Sequence, residues 1–172
     1  QSRGQTGDVC VPEGGSNIEI MSPANPAAPL SQSLTRFLDR RGEGLFALML
    51  EAPDPNAEAD VLLRRGLNVL PLMAGAGGRD IHPKSTHGVL IRVYPVNSFS
   101  QRQARSDQGL ILSGISRVII AVRDLDHAME IYRDQLGLAT DPAHDDPIRG
   151  IRGAICRPPG SGTIKLVSVV DE

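Results

Sequence analysis

Short apolar runs followed by amphipathic helices recur along the chain. One such run is Arg117–Ile120, and Asp124 or Asp126 behind it is a good helix N-cap. The helix is predicted over about 126–135 and ends at Gly137, because glycine readily adopts the left-handed conformation found just past helices. Its apolar face is formed by Ala128, Ile131, Tyr132 and Leu136. The pattern therefore predicts a strand and then a helix.

The same pattern occurs 70 residues earlier (117 minus 47). There the apolar run Ala47–Leu50 is followed by Asp54, and a helix is predicted over about 56–65, ending at Gly66. The inward side of this helix carries Ala59, Leu62 and Leu63. The chain therefore contains two copies of one strand–helix arrangement.

A longer repeat joins the two ends of the chain. The segment Gly7–Ile20 aligns without a gap on Gly153–Leu166 at an offset of 146 (156 minus 10), which places Cys10 on Cys156. Each segment has two short apolar stretches around a Gly/Pro turn, which predicts a hairpin. Because 146 is close to twice 70, two units make the longer repeat. The equivalence favours buried structural thiols for both cysteines, with a disulfide as the alternative.

The repeats divide the chain into two complete βαβββ units and the end of another. Residues 1–22 are predicted to be only the last hairpin of a unit, and 23–44 a proline-rich connector with a helix. Residues 45–96 form a complete unit, 97–114 a polar, exposed linker, and 115–172 another complete unit. Further strands are predicted at 68–72, near 79–82, and at 89–94, 153–157 and 163–169. Because the first unit lacks its opening strand and helix, we expect a chain that begins mid-unit.

Composition excludes several classes of partner. With 40% hydrophobic and 22% charged residues, the 172-residue chain is typical of a globular protein. A net charge of −2 and 3% aromatic residues give no basis for a nucleic-acid partner. No apolar run approaches the roughly 20 residues that span a bilayer, and no signal peptide is visible. We expect a cytoplasmic protein without nucleic-acid or membrane partners.

Several motifs resemble one known family in their order and spacing. They are Phe37–Leu45, Gly75–Gly78, Ile81–Ile91, and Ile120–Asp126 followed by Tyr132 and Leu136–Leu138. Together they resemble the vicinal-oxygen-chelate superfamily, which includes glyoxalases, methylmalonyl-CoA epimerases and dioxygenases. The resemblance implies an α+β fold of tandem βαβββ modules whose curved sheets form open barrels.

The resemblance also implies a divalent metal, such as Zn, Ni, Co, Mn or Fe, that polarises vicinal substrate oxygens. Its ligands are His, Glu, Gln or Asp from the first and last strands of paired modules. Five positions of this chain match those ligands: Glu19, Ala47, Arg92, Arg117 and Lys165. Only Glu19 is able to bind metal, because alanine has no donor atom and arginine and lysine are cations without an acceptor. We therefore expect a degenerate metal site and no cofactor from this chain alone.

The cations at these positions suggest other roles. If the two complete units pair, Arg92, Arg117 and Lys165 face one cavity and bind a carboxylate or phosphate. If the partial unit pairs with the middle one, Glu19 and Arg92 form a buried ion pair. Alternatively, these side chains satisfy one another or reach solvent.

Other candidates have simpler structural explanations. The Gly75–Gly78 loop offers backbone N–H groups to a phosphate, but it lacks the Lys-Ser/Thr of a phosphate-binding loop. His82 is predicted to be structural and His87 an exposed turn residue, while His127 and His144 have no partner at ligand spacing. No catalytic residue is assigned, because no Ser or Cys is paired with a histidine.

The expected function is that of a glyoxalase-like protein that binds a small molecule in the barrel, with anions as one candidate class. The alternative is a metal-dependent isomerase, lyase or extradiol-type dioxygenase whose site is completed by a missing segment or a partner chain. A structural or sequestering role is a third hypothesis. Because an odd number of half-barrels is unstable alone, a homodimer is predicted.

Overall fold

The computed structural model describes most of the chain: residues 17–73, 77–98, 115–160 and 162–170, and the backbone of 5–10. Three of the features predicted above lie wholly or partly outside these residues. They are most of the 97–114 linker, Gly75 and Ala76 of the glycine-rich loop, and the side chain of Cys10.

The described residues contain ten strands and three helices. The strands are β1 (Gln5–Cys10), β2 (Ile18–Pro23), β3 (Ala47–Ala52), β4 (Arg79–Ile81), β5 (Leu90–Pro95), β6 (Arg117–Ala121), β7 (Ala139–Thr140), β8 (His144–Asp146), β9 (Ile151–Arg157) and β10 (Thr163–Val169). The helices are α1 (Pro29–Arg41), α2 (Pro55–Arg64) and α3 (Leu125–Met129), with a 3₁₀ turn at Pro83–Ser85 and a π-helical turn at Glu130–Gln135. None of the helices described has the length and apolar content to cross a membrane.

The two hairpins of the chain pair in the same register. In the first, β1 and β2 are antiparallel and Cys10 lies opposite Ile18. In the second, β9 and β10 are antiparallel and Cys156 lies opposite Ile164. The offset of 146 that aligns the cysteines also aligns the isoleucines (164 minus 18), so the sequence repeat is also a repeat of structure. Cys156 is a fully buried free thiol whose pKa is raised by burial, which supports a packing role.

Helix α1 confirms that the connector contains a helix. Pro29 occupies its first turn, where the missing N–H removes no helical hydrogen bond. Gly42 follows the last residue at φ 72°, and its N–H donates to the Leu38 carbonyl at 2.9 Å. Leu34 is buried, and the helix packs against β2.

In the middle unit, the strands lie in the order β3-β5-β4. β3 runs parallel to β5, and β4 is antiparallel to it. Asp54 caps α2, because its Oδ1 accepts from the N–H groups of Asn56 and Ala57 at 2.9 and 3.1 Å. The helix ends before Gly66 at φ 89°, close to its predicted end.

The strand predicted at 68–72 is shorter than expected, because only residues 68–70 pair with β4. Only Val69 forms a bridge, and its partner is Ile81 of β4. Two backbone hydrogen bonds flank this bridge: the Leu70 N–H donates to the Asp80 carbonyl at 2.7 Å, and the His82 N–H donates to the Asn68 carbonyl at 2.8 Å. The second strand of this unit is reduced to one bridge.

In the last unit, β6, β10 and β9 are neighbours, and both β7 and β8 pair with β9. β10 is parallel to β6 and antiparallel to β9, which repeats the topology of the middle unit. Asp124 caps α3 by accepting from the His127 N–H at 3.0 Å. The helix predicted over about 126–135 is confirmed, although its second half is a π-helical turn that ends before Gly137 at φ 74°.

One hydrophobic core joins the middle and last units. Ile91 of β5 and Leu166 of β10 belong to the same cluster of buried side chains. Tyr132 of the π-helical turn is fully buried in it, and its hydroxyl donates to the Thr86 carbonyl at 3.3 Å. The two units therefore fold against each other through the faces that carry their helices.

A histidine pair lies at the same junction. The His87 and His127 rings are 5.4 Å apart between centroids, edge to face. Burial, followed by the nearby His127, lowers the pKa of His87, and the charge of Asp124 only partly opposes this. His87 is therefore a half-buried junction residue, not the exposed turn residue predicted from the sequence.

We expect this pair to weaken the fold in acid. Because the folded-state pKa of His87 lies below its unfolded value of about 6.5, the unfolded chain binds more protons, and stability is lost as pH falls below that value. A His87→Asn variant should lose less stability between pH 7.5 and 5 in thermal unfolding. Asparagine is chosen because it tolerates the φ of 53° at this residue. His144→Asn is the control. If His87→Asn lost as much stability on acidification as the parent and this control do, the role of His87 in the acid sensitivity of the fold would be contradicted.

Candidate functional site

The ligand positions of the middle unit lie on the face of its sheet opposite the core. Arg92 on β5 lies between its cross-strand neighbours, Met49 on β3 and Asp80 on β4. Side chains at such paired positions point to the same face. Arg92 is only 2% exposed and Asp80 only 7%, so two opposite charges are enclosed together.

Arg92 forms a two-pronged ion pair with Asp80. Its Nε and Nη2 donate to Oδ1 and Oδ2 of Asp80 at 2.5 and 2.6 Å. Burial by itself lowers the pKa of Arg92, but the hydrogen bonds and charge of Asp80, with a smaller contribution from Tyr94, outweigh burial and raise it. The guanidinium is thus a permanent cation with its carboxylate already in place.

The predicted ion pair between Glu19 and Arg92 is wrong. Glu19 is half-buried on β2 and forms no ion pair with any residue that the structure describes. Asp80 takes its place because β4 and β5 are adjacent strands, about 5 Å apart. A cross-strand neighbour is already in contact, whereas Glu19 lies on a separate two-stranded sheet.

Arg117 and Lys165 lie on one face of the other sheet. Arg117 is exposed, and its Nε donates to Thr163 Oγ1 at 3.3 Å. Lys165 is half-buried. The pKa of Asp146 is lowered mainly by hydrogen bonds from Arg149, and the charge of Lys165 makes a smaller contribution. The contacts of the described residues include none that joins Arg92 to either cation. Anion binding by Arg117 and Lys165 stays a prediction.

The side chains at the expected metal positions do not fit a divalent metal. Ala47 has no donor atom, and Arg92 presents a paired cation. Within the described ranges, no three His, Cys, Asp or Glu side chains come together as a ligand group. We therefore assign no chemical step to a metal held by these side chains.

The structure also has a basic cavity that the sequence did not predict. It has a volume of about 500 Å³ and lies between α1 and the segments around β5 and the 3₁₀ turn. Its lining combines five basic side chains with aromatic and aliphatic ones: Ser33, Arg36, Phe37, Arg40, Arg41, Leu45, Phe46, Leu70, His82, Pro83, Lys84, Gly88 and Leu90. Such a lining suits a ligand with a charged end and an apolar body.

A local signal for this cavity was present in the sequence. Arg36 and Arg40 are four residues apart, which places them on one face of a helix. Most of the other lining residues lie in the motifs Phe37–Leu45 and Ile81–Ile91 that carried the family resemblance. The sequence did not show that these two segments lie side by side, because they are about 40 residues apart in the chain.

Comparison with known proteins supports the fold. No family model and no curated protein matches the chain. A triple mutant of 4-hydroxymandelate synthase from Streptomyces coelicolor superposes on 97% of this chain with a TM-score of 0.64 and 14% identity. A xylose isomerase-like TIM barrel/4-hydroxyphenylpyruvate dioxygenase fusion protein superposes on 96% with a TM-score of 0.58 and 14% identity. The matches cover 51% and 28% of those two chains, respectively.

A third similarity is local. Methylmalonyl-CoA epimerase from Mycobacterium tuberculosis is 37% identical over 42% of this chain and 46% of its own, with a TM-score of 0.34. The two broader superpositions confirm the expected α+β architecture with open sheets. The chain therefore has the vicinal-oxygen-chelate fold.

Proposed function

We propose that this chain binds a small organic anion without the help of a metal. The observation that supports this most directly is the buried Arg92–Asp80 pair, which occupies a last-strand position where the resemblance implies a metal-binding carboxylate. An arginine already bonded to an aspartate supplies neither a lone pair to a metal nor space for one. The basic cavity supports an anionic ligand, since cations are the surfaces that recognise carboxylate and phosphate.

Metal content tests this proposal directly. The full chain, expressed in medium supplemented with Zn, Ni, Co, Mn and Fe and purified without chelator, is expected to carry far less than one metal ion per chain by elemental analysis. Stoichiometric metal that survives dialysis would contradict the proposal. It would instead favour a metal-dependent isomerase, lyase or dioxygenase whose ligands come from a partner chain or another segment.

A homodimer is part of the proposal. Ile119 and Val169 are 62% and 75% exposed, on the face of the last sheet opposite the core. We expect a dimer in light scattering, and we expect Ile119→Ser/Val169→Ser to shift it towards monomer, because burying apolar surface drives association. Ile148→Ser is the matched control, since Ile148 is 97% exposed in a turn. A monomeric parent, or a double variant that dimerises like the control, would contradict this.

A further inference from the structure

The basic cavity has an excess of positive charge that its own residues do not neutralise. Arg36, Arg40, Arg41 and Lys84 line it, and no carboxylate belongs to its described lining. None of the four forms an ion pair with any carboxylate that the structure describes. Other cations of the described residues do have carboxylate partners, as in Arg92–Asp80 and Arg157–Asp141. Four cations converge here without a counter-charge.

Helix electrostatics explain only part of this cluster. Arg40 and Arg41 lie in the last turn of α1, where cations are stabilised by the helix carbonyl groups. Arg36 lies one turn earlier, and Lys84 comes from the 3₁₀ turn after β4. Two separate elements therefore contribute cations to one cavity.

His82 adds a directed hydrogen-bond donor. Its Nδ1 accepts from the Lys84 N–H at 3.0 Å, which leaves Nε2 as the ring nitrogen that is able to donate. The same hydrogen bond orients the ring as the cap of the 3₁₀ turn. Its prediction as a structural residue is thus supported, and the remaining N–H is left to donate.

The rest of the lining is apolar and partly exposed. Phe37 and Phe46 pack edge to face with centroids 5.4 Å apart, which fixes one wall. Leu45 is 65% exposed although it belongs to this lining. A ligand with an aromatic or aliphatic body would cover this surface while its anionic group met the cations.

We infer that the cavity between α1 and the 82–90 segment is a binding site for a small organic phosphate whose body is apolar. A phosphate is favoured over a carboxylate because its two negative charges and three acceptor oxygens match several cations at once. The inference rests on the proposed function for the charge of the ligand. It adds the location of the site and the chemical class.

Calorimetric titration of the full-length chain with phenyl phosphate tests the site. We expect saturable binding, with weaker binding of benzoate and of inorganic phosphate and none of phenol. Arg36→Gln/Arg40→Gln is expected to weaken phenyl phosphate binding by at least about 10-fold, since charge-assisted hydrogen bonds are lost. Lys84→Gln, on the other wall, should weaken it several-fold. Both effects should shrink at high salt.

Arg64→Gln is the matched control, because Arg64 is an exposed last-turn arginine on α2 rather than α1. It should bind like the parent. If phenyl phosphate binding were unchanged in both Arg36→Gln/Arg40→Gln and Lys84→Gln, this site would be overturned. The proposal that the protein binds an anion would still stand. Equal or tighter binding of benzoate would overturn the choice of phosphate. If none of the probes bound, the site would be overturned. If the protein carried stoichiometric metal and still bound phenyl phosphate normally, only the metal-free proposal would be overturned.

Discussion

An Asp80→Ala variant is expected to be about 3–5 kcal/mol less stable towards unfolding than the parent chain. The substitution leaves the Arg92 guanidinium, which is 2% exposed, without the carboxylate that it pairs with in the described part of the chain. Because arginine stays protonated at any accessible pH, the side chain cannot escape by becoming neutral. Since domains are stable by only about 5–15 kcal/mol, this loss is a large share of the total.

Equilibrium urea unfolding followed by circular dichroism measures this change. Asp60→Ala is the control, because Asp60 is exposed on α2, and it should stay within about 0.5 kcal/mol of the parent. Asp80→Leu/Arg92→Met removes both charges and should recover most of the loss, as replaced buried ion pairs commonly do. If Asp80→Ala changed stability no more than Asp60→Ala, the ion pair would be shown to be unimportant for folding.

Tyr132→Ala is expected to reduce stability by about 3–5 kcal/mol, by leaving a large cavity in the core. Tyr132 is fully buried where the middle and last units meet, and it belongs to the cluster that both units share. Its hydroxyl also donates to the Thr86 carbonyl across the junction. The substitution should therefore weaken both units together and not only the last one.

Tyr132→Phe separates the ring from the hydroxyl. It keeps the packing and removes one hydrogen bond, so a loss of about 1 kcal/mol is expected. Thermal unfolding followed by circular dichroism should give one cooperative transition for the parent and both variants, with the alanine variant melting lowest. Two resolved transitions in the parent would contradict a shared core, and equal melting of the alanine and phenylalanine variants would contradict tight packing of the ring.

The buried ion pair bears on function more than on net stability. Buried pairs rarely stabilise a fold more than well-packed apolar residues do. The position of this pair is what matters, because it occupies a site from which the resemblance implies a metal ligand. Because Arg92 is already bonded to Asp80, we propose the basic cavity, and not this position, as the site of anion binding. The candidate binding site is lined instead by residues of α1 and of the 82–90 segment.

Local patterns in the sequence determined most of the elements. The helices around 56–65 and 126–135 and the strands at 153–157 and 163–169 lie where periodicity and caps predicted them, within a few residues. Such features depend on neighbours within one turn or one strand pair. The hairpin repeat at an offset of 146 was also visible in the sequence, and the strands of both hairpins pair in the register that it predicts.

Failures of prediction occurred where a residue's environment is set by distant parts of the chain. The strand predicted at 68–72 is shortened to one bridge, between Val69 and Ile81 of β4. His87 was expected in solvent, but the last unit packs against it. Neither outcome could be deduced without knowing which elements become neighbours.

The sequence by itself determined the repeated βαβββ pattern, the vicinal-oxygen-chelate resemblance and the residue types at the expected metal positions. Only the tertiary structure decided what those residues contact. It paired Arg92 with Asp80 rather than with Glu19, because strand order sets which carboxylate lies about 5 Å away. It also placed the cations of α1 and Lys84 around one cavity. Coulomb and hydrogen-bond energies depend on distance in space, and the order of residues along the chain does not contain that distance.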